Sequence, residues 1–211
     1  MTENCPLCKA KAEVFYDDLK SRFYLCNNCK AVYRDPEQLP GLDDEKERYT
    51  LHQNSLEDQG YLRFVSPLIQ TVKNMTAKNK SGLDFGCGHS PVISELLKKE
   101  GYEVDNFDPI FYPELEIVKN RYDFIICSEV IEHFHNPSVE FLTLYEALAA
   151  EGKLFCYTCL YSEQVDFATW YYKNDFTHVF LYQVETLEFI REKFGFSSVK
   201  IDDRVISFSK Y

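Results

Sequence analysis

The chain has 211 residues, a formal net charge of −11 and a sequence pI near 4.9, and 45% of its residues are hydrophobic. This length allows one medium-sized domain, or one domain with a small appendage, around a buried core. The acidic balance argues against an extended grip on nucleic-acid phosphates, which requires a basic face. The apolar runs are too short to span a membrane, and the start "MTENCPLCKA" lacks the pattern of a signal peptide. We therefore expect a cytoplasmic protein without membrane association.

Two Cys-x-x-Cys pairs stand near the start, in "CPLC" and "CNNC", with 17 residues between them. This spacing suits two tight turns that present four sulfurs to one structural Zn²⁺, and the alternative is a redox dithiol. The alternating aromatic segment between the pairs predicts a two-stranded ribbon with its turn near residues 17–20. A ribbon of this size is not stable alone, and a structural zinc contributes on the order of 10 kcal/mol or more. We expect a zinc-ribbon module over residues 1–38, with the ligands Cys5, Cys8, Cys26 and Cys29.

Residues 39–80 form a predicted helical linker or lid. Four apolar residues recur there at helical spacing, namely Leu62, Val65, Ile69 and Val72. Ser66-Pro67 predicts the start of a new helix, with Ser66 as N-cap and Pro67 at the first position. The expected result is a helical hairpin that covers a pocket or docks on a sheet edge.

Residues 81–211 alternate between strand and helix patterns, which predicts an α/β, Rossmann-like, mostly parallel sheet with helices on both faces. The predicted helices begin at Ser90-Pro91, with Ser90 as N-cap, at Asn136-Pro137 and at Val184. A final hairpin is expected in "SVKIDDRVISFSK". The predicted strands lie in "GLDFGC", "EVDNFDP", "YDFIICSEVIEH" and "GKLFCYTCL", with a short additional strand in "LEIV".

The turn in "LDFGCGHSP" predicts a nucleoside pocket. Gly86 and Gly88 allow the backbone to approach a ligand closely, and Asp108 follows Gly88 by 20 residues, where a carboxylate can bind ribose hydroxyls. A dinucleotide fingerprint would need a third glycine where Pro91 stands. Asp84, just before the turn, favours a ligand with a positive group over a phosphate.

On these residues the chain resembles the class I S-adenosylmethionine-dependent methyltransferases, over about residues 55–211. The resemblance lies in "LDFGCG", "FDP", "YDFIICSEVIEHF" and "EGKLFCYT". It implies that S-adenosylmethionine binds at Asp84, Phe85, Gly86, Cys87, Gly88, Asp108, Pro109, Cys127, Ser128 and Glu129. Ser90 departs from the usual third glycine, and the usual adenine-binding acid has no clear counterpart, so Pro109 and Phe111 are candidates to pack on the adenine.

His133 and His178 are the candidate catalytic bases, needed where the acceptor is a hydroxyl or a carbon acid. His133 can also be a structural histidine near the cofactor. The aromatic residues around His178 either shape an acceptor pocket or pack a long loop; they are Trp170, Tyr171, Tyr172 and Phe176.

The leading interpretation is a methyltransferase with a small-molecule acceptor. The alternatives are a catalytically silent nucleoside-binding or regulatory protein, and an RNA or protein methyltransferase that docks through the zinc module. A nicotinamide-dependent oxidoreductase is the remaining hypothesis, and Pro91 argues against it. The acceptor and the oligomeric state do not follow from the sequence.

Overall fold

A computed structural model describes residues 2–51 and 54–211 of the chain, and His52 and Gln53, within the predicted helical segment, lie outside these ranges. The described strands are β1 Thr2–Asn4, β2 Lys11–Asp17, β3 Arg22–Cys26, β4 Val32–Arg34, β5 Ser81–Phe85, β6 Glu103–Phe107, β7 Tyr122–Ser128, β8 Leu148–Tyr157, β9 Phe180–Leu181, β10 Ser198–Asp202 and β11 Val205–Ser209. The described α-helices are α1 Leu42–Thr50, α2 Gln59–Met75, α3 Val92–Lys99, α4 Pro137–Ala147 and α5 Val184–Phe194. None of these helices is both long enough and apolar enough to span a membrane.

Six strands form the main sheet, in the order β10-β11-β8-β7-β5-β6. β5 pairs in parallel with β6 and with β7, and β7 pairs in parallel with β8. β11 pairs antiparallel with β8 and with β10, which confirms the predicted terminal hairpin. After β5 the chain goes to β6 on one side and returns to β7 on the other side. This reversal leaves a crevice at the carboxyl end of β5, where ligands bind in such sheets. The predicted α/β, Rossmann-like class is confirmed.

Both faces of the main sheet are buried. Along β7, Phe124 and Ile126 lie in the cluster that includes Val65 of α2 and Leu97 of α3. Ile125 of the same strand lies in a second cluster, on the face covered by α4 and α5. This split follows from the two-residue period of a strand, and it explains why the parallel strands are apolar throughout.

A second sheet, with the order β1-β2-β3-β4-β9, is antiparallel. The pairing of β2 with β3 confirms the predicted ribbon and its turn. The last strand comes from far along the chain, because Tyr33 of β4 pairs with Phe180 of β9 and their rings stack at 6.2 Å. The ribbon is thus continuous with later elements, and the domain bounds 1–38, 39–80 and 81–211 remain predictions.

The long segment after β8 packs on the ribbon through aromatic residues. The Phe167 ring meets those of Phe15 and Phe23 edge to face, at 5.0 and 5.1 Å. Of the predicted loop aromatics, Trp170 and Tyr172 are buried in the fold, whereas Tyr171 and Phe176 are exposed. Packing therefore accounts for the first two.

Two predicted helix starts are wrong. α2 runs continuously through Pro67, and Asp58 is its N-cap, accepting hydrogen bonds from the N–H groups of Gly60 and Tyr61 at 2.8 and 3.1 Å. Pro67 removes a single helical N–H, and the continuous helix buries a whole apolar face, so packing outweighs the local signal. That face consists of Val65, Leu68 and Val72.

At α3 the N-cap residue is Pro91, not Ser90. Val92 donates its N–H to the carbonyl of Ser90 at 2.8 Å, and the Ser90 side chain makes no capping bond. The predicted strand "LEIV" is also wrong, because Ile117–Lys119 form a 3-10 turn. Asn136 and Pro137 do begin α4, although without a side-chain capping bond.

Candidate active site

The glycine turn folds tightly over the carboxyl ends of β5 and β6. Gly86 donates its N–H to the carbonyl of Phe107 at 2.7 Å, with φ +74°. A Cβ on Gly86 would lie 2.5 Å from a methyl carbon of Val130, so a larger residue does not fit there. At Gly88 a Cβ would meet no other atom, so glycine is favoured there by the left-handed φ of +66°.

A crevice lies beside this turn, between the main sheet and the starts of α2 and α3. Three of its lining residues were not predicted from the sequence, namely Tyr61, Val92 and Ile93. Tyr61 lies one helical turn before the apolar face of α2, so the sequence pattern could have placed it on that face. That it also lines the crevice depends on how the helix docks on the sheet. The full lining consists of Tyr61, Asp84, Gly86, Cys87, Val92, Ile93 and Ser128.

Asp84 is the buried acid of the crevice, with 3% of its surface exposed. Desolvation raises the pKa of its carboxyl to about 7, while the N–H of Ser94 and the charge of Lys98 oppose this rise. The carboxylate lines a crevice, and the hydrogen bond and charge around it do not offset the cost of its desolvation. It therefore favours a cationic ligand. The chemistry of Asp84 thus fits a ligand with a positive group, such as the amino group of S-adenosylmethionine.

The Asp108 carboxylate ties the glycine turn to the loop after β6. One oxygen accepts from the N–H of Gly88 at 3.0 Å, and the other from Ile110 and Phe111 at 2.8 and 3.0 Å. A carboxylate has about four acceptor positions. Three are occupied by backbone groups, so a ribose hydroxyl would use the last one or displace a backbone donor. The predicted ribose contact of Asp108 remains a prediction, as does the predicted packing of Pro109 and Phe111 on the adenine.

Other predicted cofactor residues differ in placement. The Phe85 ring packs against Phe107 and Phe134, at 5.1 and 6.3 Å between centroids. The Cys127 side chain is fully buried beside Cys156 of the neighbouring strand. A contact from Cys127 to a ligand in the crevice would thus come from its backbone, whereas Ser128 lines the crevice itself.

Glu129 follows β7 with a left-handed φ of +52°, a conformation that costs of order 1 kcal/mol or more for a residue with a side chain. Its N–H donates to the carbonyl of Tyr157 at 2.8 Å, and its carboxylate pairs with Arg204 at 2.6 Å. Burial and the charge of Glu132 raise the pKa of Glu129, and Arg204 opposes the rise. Arg204 comes from the terminal hairpin, so no local pattern could predict this pair.

The two predicted catalytic histidines lie together, with ring centroids 4.9 Å apart. His133 donates its Nδ1–H to the carbonyl of Thr177 at 2.8 Å, and His178 donates its Nδ1–H to the carbonyl of Tyr172 at 2.7 Å. Because a carbonyl only accepts, each ring keeps a lone pair on Nε2. Burial lowers the pKa of both imidazoles, that of His178 to about 3, so both rings are neutral near pH 7.

The first helix covers this histidine pair. Arg48 of α1 forms an ion pair with Asp175 at 2.6 Å, and Glu45 contacts His135 at 2.9 Å. The ring of Tyr49 meets His133 edge to face at 5.3 Å. The predicted role of residues 39–80 as a linker or lid remains a prediction.

The four N-terminal cysteines converge as a metal site requires. Their sulfur atoms all lie within 4.8 Å of one another, with 3.5 Å between Cys5 and Cys29 and 3.4 Å between Cys8 and Cys26. The two turns repeat the same geometry, since Lys9 and Lys30 both have a left-handed φ. Zinc bonds to sulfur of about 2.3 Å imply sulfur separations of about 3.8 Å, so a tetrahedral ion fits this cluster.

A family model described as a methyltransferase domain matches residues 55–201 of the chain. No curated protein sequence matches it.

Solved structures with the same fold come from several methyltransferases at low sequence identity. A 1,6-didemethyltoxoflavin-N1-methyltransferase from Burkholderia thailandensis is 12% identical with a TM-score of 0.56, over 94% of this chain and 99% of that one. Magnesium protoporphyrin IX methyltransferase from Synechocystis PCC 6803 is 14% identical with a TM-score of 0.55, over 79% and 94%. For an O-methyltransferase family protein from Burkholderia thailandensis the identity is 10% and the TM-score 0.53, and 70% of this chain spans 56% of that one.

Proposed function

Because the chain belongs to the S-adenosylmethionine-dependent methyltransferase family, we propose that it transfers a methyl group to a small-molecule acceptor from a cofactor held beside the glycine turn. The observation that carries this proposal is Asp84, a buried carboxylate in a crevice whose other wall is a glycine turn.

The residues of the crevice have separate tasks in this proposal. Asp84 binds the positive amino group of the cofactor, and the turn from Gly86 to Gly88 approaches its methionine and ribose. Ser128 and Glu129 close the pocket at the end of β7, and Tyr61 covers it from α2. When bound, S-adenosylmethionine supplies a sulfonium methyl group that transfers readily to an aligned nucleophile. The chain then contributes mainly by holding the acceptor in line.

We assign the acceptor side to the surroundings of the paired histidines His133 and His178. Both imidazoles keep a lone pair on Nε2, so they can accept a hydrogen bond or orient an acceptor group. The net charge of −11 argues against a nucleic-acid acceptor. Two of the structural relatives are named for small-molecule acceptors, magnesium protoporphyrin IX and 1,6-didemethyltoxoflavin, which supports this choice.

We also propose that the four-cysteine cluster holds one structural Zn²⁺. Four sulfur ligands complete a tetrahedral sphere and leave no position for a substrate. The ion would hold the ribbon together. Because β4 of the ribbon pairs with β9, it would also keep the segment that bears His178 in place.

Calorimetric titration tests the cofactor assignment. The wild-type protein should bind S-adenosylmethionine and should not bind NAD, which separates a methyltransferase from an oxidoreductase. Asp84→Asn should bind the cofactor about 10- to 100-fold more weakly, because a hydrogen bond to a charged group contributes about 1.5–3 kcal/mol. Asp202→Asn, an exposed change of the same charge, is the matched control.

Turnover is tested by release of S-adenosylhomocysteine with panels of hydroxyl, amine and carbon-acid acceptors. Cofactor binding without release on any panel would favour the silent nucleoside-binding alternative. Absence of S-adenosylmethionine binding by the wild type would refute the proposal.

A further inference from the structure

A second group of metal-ligand atoms lies apart from the cysteines. Glu132, His133 and His178 each offer one ligand atom, and these atoms all lie within 4.8 Å of one another. We propose that the group is a site for one divalent cation, held by a Glu132 oxygen and the Nε2 atoms of the two histidines.

Glu132 is a buried acid whose carboxylate is only partly satisfied by hydrogen bonds. Its side chain has no exposed surface. The Oε1 atom accepts a hydrogen bond from the Tyr172 hydroxyl, whereas Oε2 is buried and has no hydrogen-bond partner among the described residues. A buried carboxylate oxygen without a partner is costly, and a bound cation would remove that cost.

Each histidine of the cluster has one ring nitrogen free to accept. The Nδ1–H groups of His133 and His178 are used by backbone carbonyls, so their Nε2 atoms carry lone pairs. The two Nε2 atoms and the oxygens of an ionised Glu132 therefore have no hydrogen to donate to one another. A carbonyl that fixes the imidazole tautomer is also the usual outer support of a metal-bound histidine.

The surroundings hold the carboxylate in place. The Tyr172 hydroxyl, which donates to Glu132, also lies 2.9 Å from the Thr158 hydroxyl and 3.3 Å from Glu129 Oε2. Glu129 is the acid that precedes Glu132 on the chain, and its other oxygen pairs with Arg204. Glu132 lies four residues beyond Ser128, which lines the crevice, so the cluster lies at the same end of β7 as the crevice.

The ligand set indicates the class of ion. One carboxylate and two imidazoles suit Mn²⁺, Fe²⁺, Co²⁺ or Zn²⁺, whereas Mg²⁺ prefers oxygen ligands alone. Three protein ligands also leave coordination positions open, unlike the four sulfurs of the N-terminal cluster. A bound ion should therefore retain exchangeable water.

Mn²⁺ is a suitable probe, because it competes poorly for a thiolate site that is already filled with zinc. Zinc-loaded wild-type protein is titrated with Mn²⁺ and followed by electron paramagnetic resonance, with water-proton relaxation as a second measurement. We expect one Mn²⁺ per chain and enhanced relaxation. Glu132→Gln and His178→Ala should each weaken binding by at least about tenfold, since even loss of an outer-shell partner costs that much.

His135→Ala is the matched control, because His135 lies on the same segment but contacts Glu45 and stands outside the cluster. It should bind Mn²⁺ as the wild type does. Circular dichroism of each variant verifies folding, and His178→Ala decides if Glu132→Gln does not fold. Calorimetry with S-adenosylmethionine on the same samples tests the proposed function independently. The cation site is refuted if the zinc-loaded wild type binds no Mn²⁺, or if the folded cluster variants bind it with unchanged affinity.

Discussion

Replacing Asp84 by Asn should stabilise the protein at alkaline pH while weakening cofactor binding. The wild-type carboxyl is buried in the crevice, and desolvation raises its pKa from 3.8 to about 7. Between these two values the folded state binds a proton that the unfolded state has lost, so stability falls as the pH rises through this window. Asn cannot ionise, so this loss should be absent from the variant.

The size of the effect follows from the two pKa values. They differ by about three, and each unit of pKa corresponds to about 1.4 kcal/mol, so the ionised carboxylate destabilises the wild type by about 4 kcal/mol above pH 7. At pH 5.5 the wild type has lost only about 2 kcal/mol of stability. The folded carboxyl is still protonated there, so the loss has grown only between the unfolded pKa of 3.8 and pH 5.5. The difference in free energy of unfolding, variant minus wild type, should therefore grow by about 2 kcal/mol between pH 5.5 and pH 8.

Urea unfolding of zinc-loaded protein at both pH values measures this difference. Asp202→Asn removes an exposed carboxylate and should show no comparable growth. Effects of pH on other groups, including the cysteines, are common to wild type and variant and cancel. If the stability difference of Asp84→Asn is independent of pH, Asp84 is already ionised in the empty protein near pH 5.5, and the argument for a desolvated cation-binding carboxylate is refuted.

Two further predictions concern the ribbon and the core. Cys26→Ser should reduce the zinc content from one ion per chain to none. It should also lower the free energy of unfolding by several kcal/mol, because a metal site contributes on the order of 10 kcal/mol. Zinc is measured by plasma emission, and a zinc content equal to that of the wild type would contradict the site. Gly82→Ala should destabilise by about 1–3 kcal/mol, since its Cβ would lie 2.2 Å from the Phe124 ring. Phe124→Leu should be less destabilising in the Gly82→Ala background than alone, and additive effects in denaturant unfolding would refute this contact.

Local patterns predicted the parts of the site that lie within one strand and its following turn. The apolar run before Asp84 places that acid at the end of β5, and the two glycines supply the left-handed conformations that the turn requires. The same kind of rule failed at Ser66 and Ser90. There the burial of a helix face and the path of the turn decided where the helices begin, and both depend on distant residues.

By itself the sequence determined the cysteine spacing, the alternation of strands and helices and the glycine turn, because these depend on neighbours a few residues apart. The tertiary structure alone decided that His178 lies beside His133, that Arg204 pairs with Glu129 and that β4 pairs with β9. Each of these contacts joins segments about 45 to 150 residues apart, and no local propensity encodes it. They form because the entropic cost of closing the long loops is offset by the free energy gained when the two sheets bury apolar surface together.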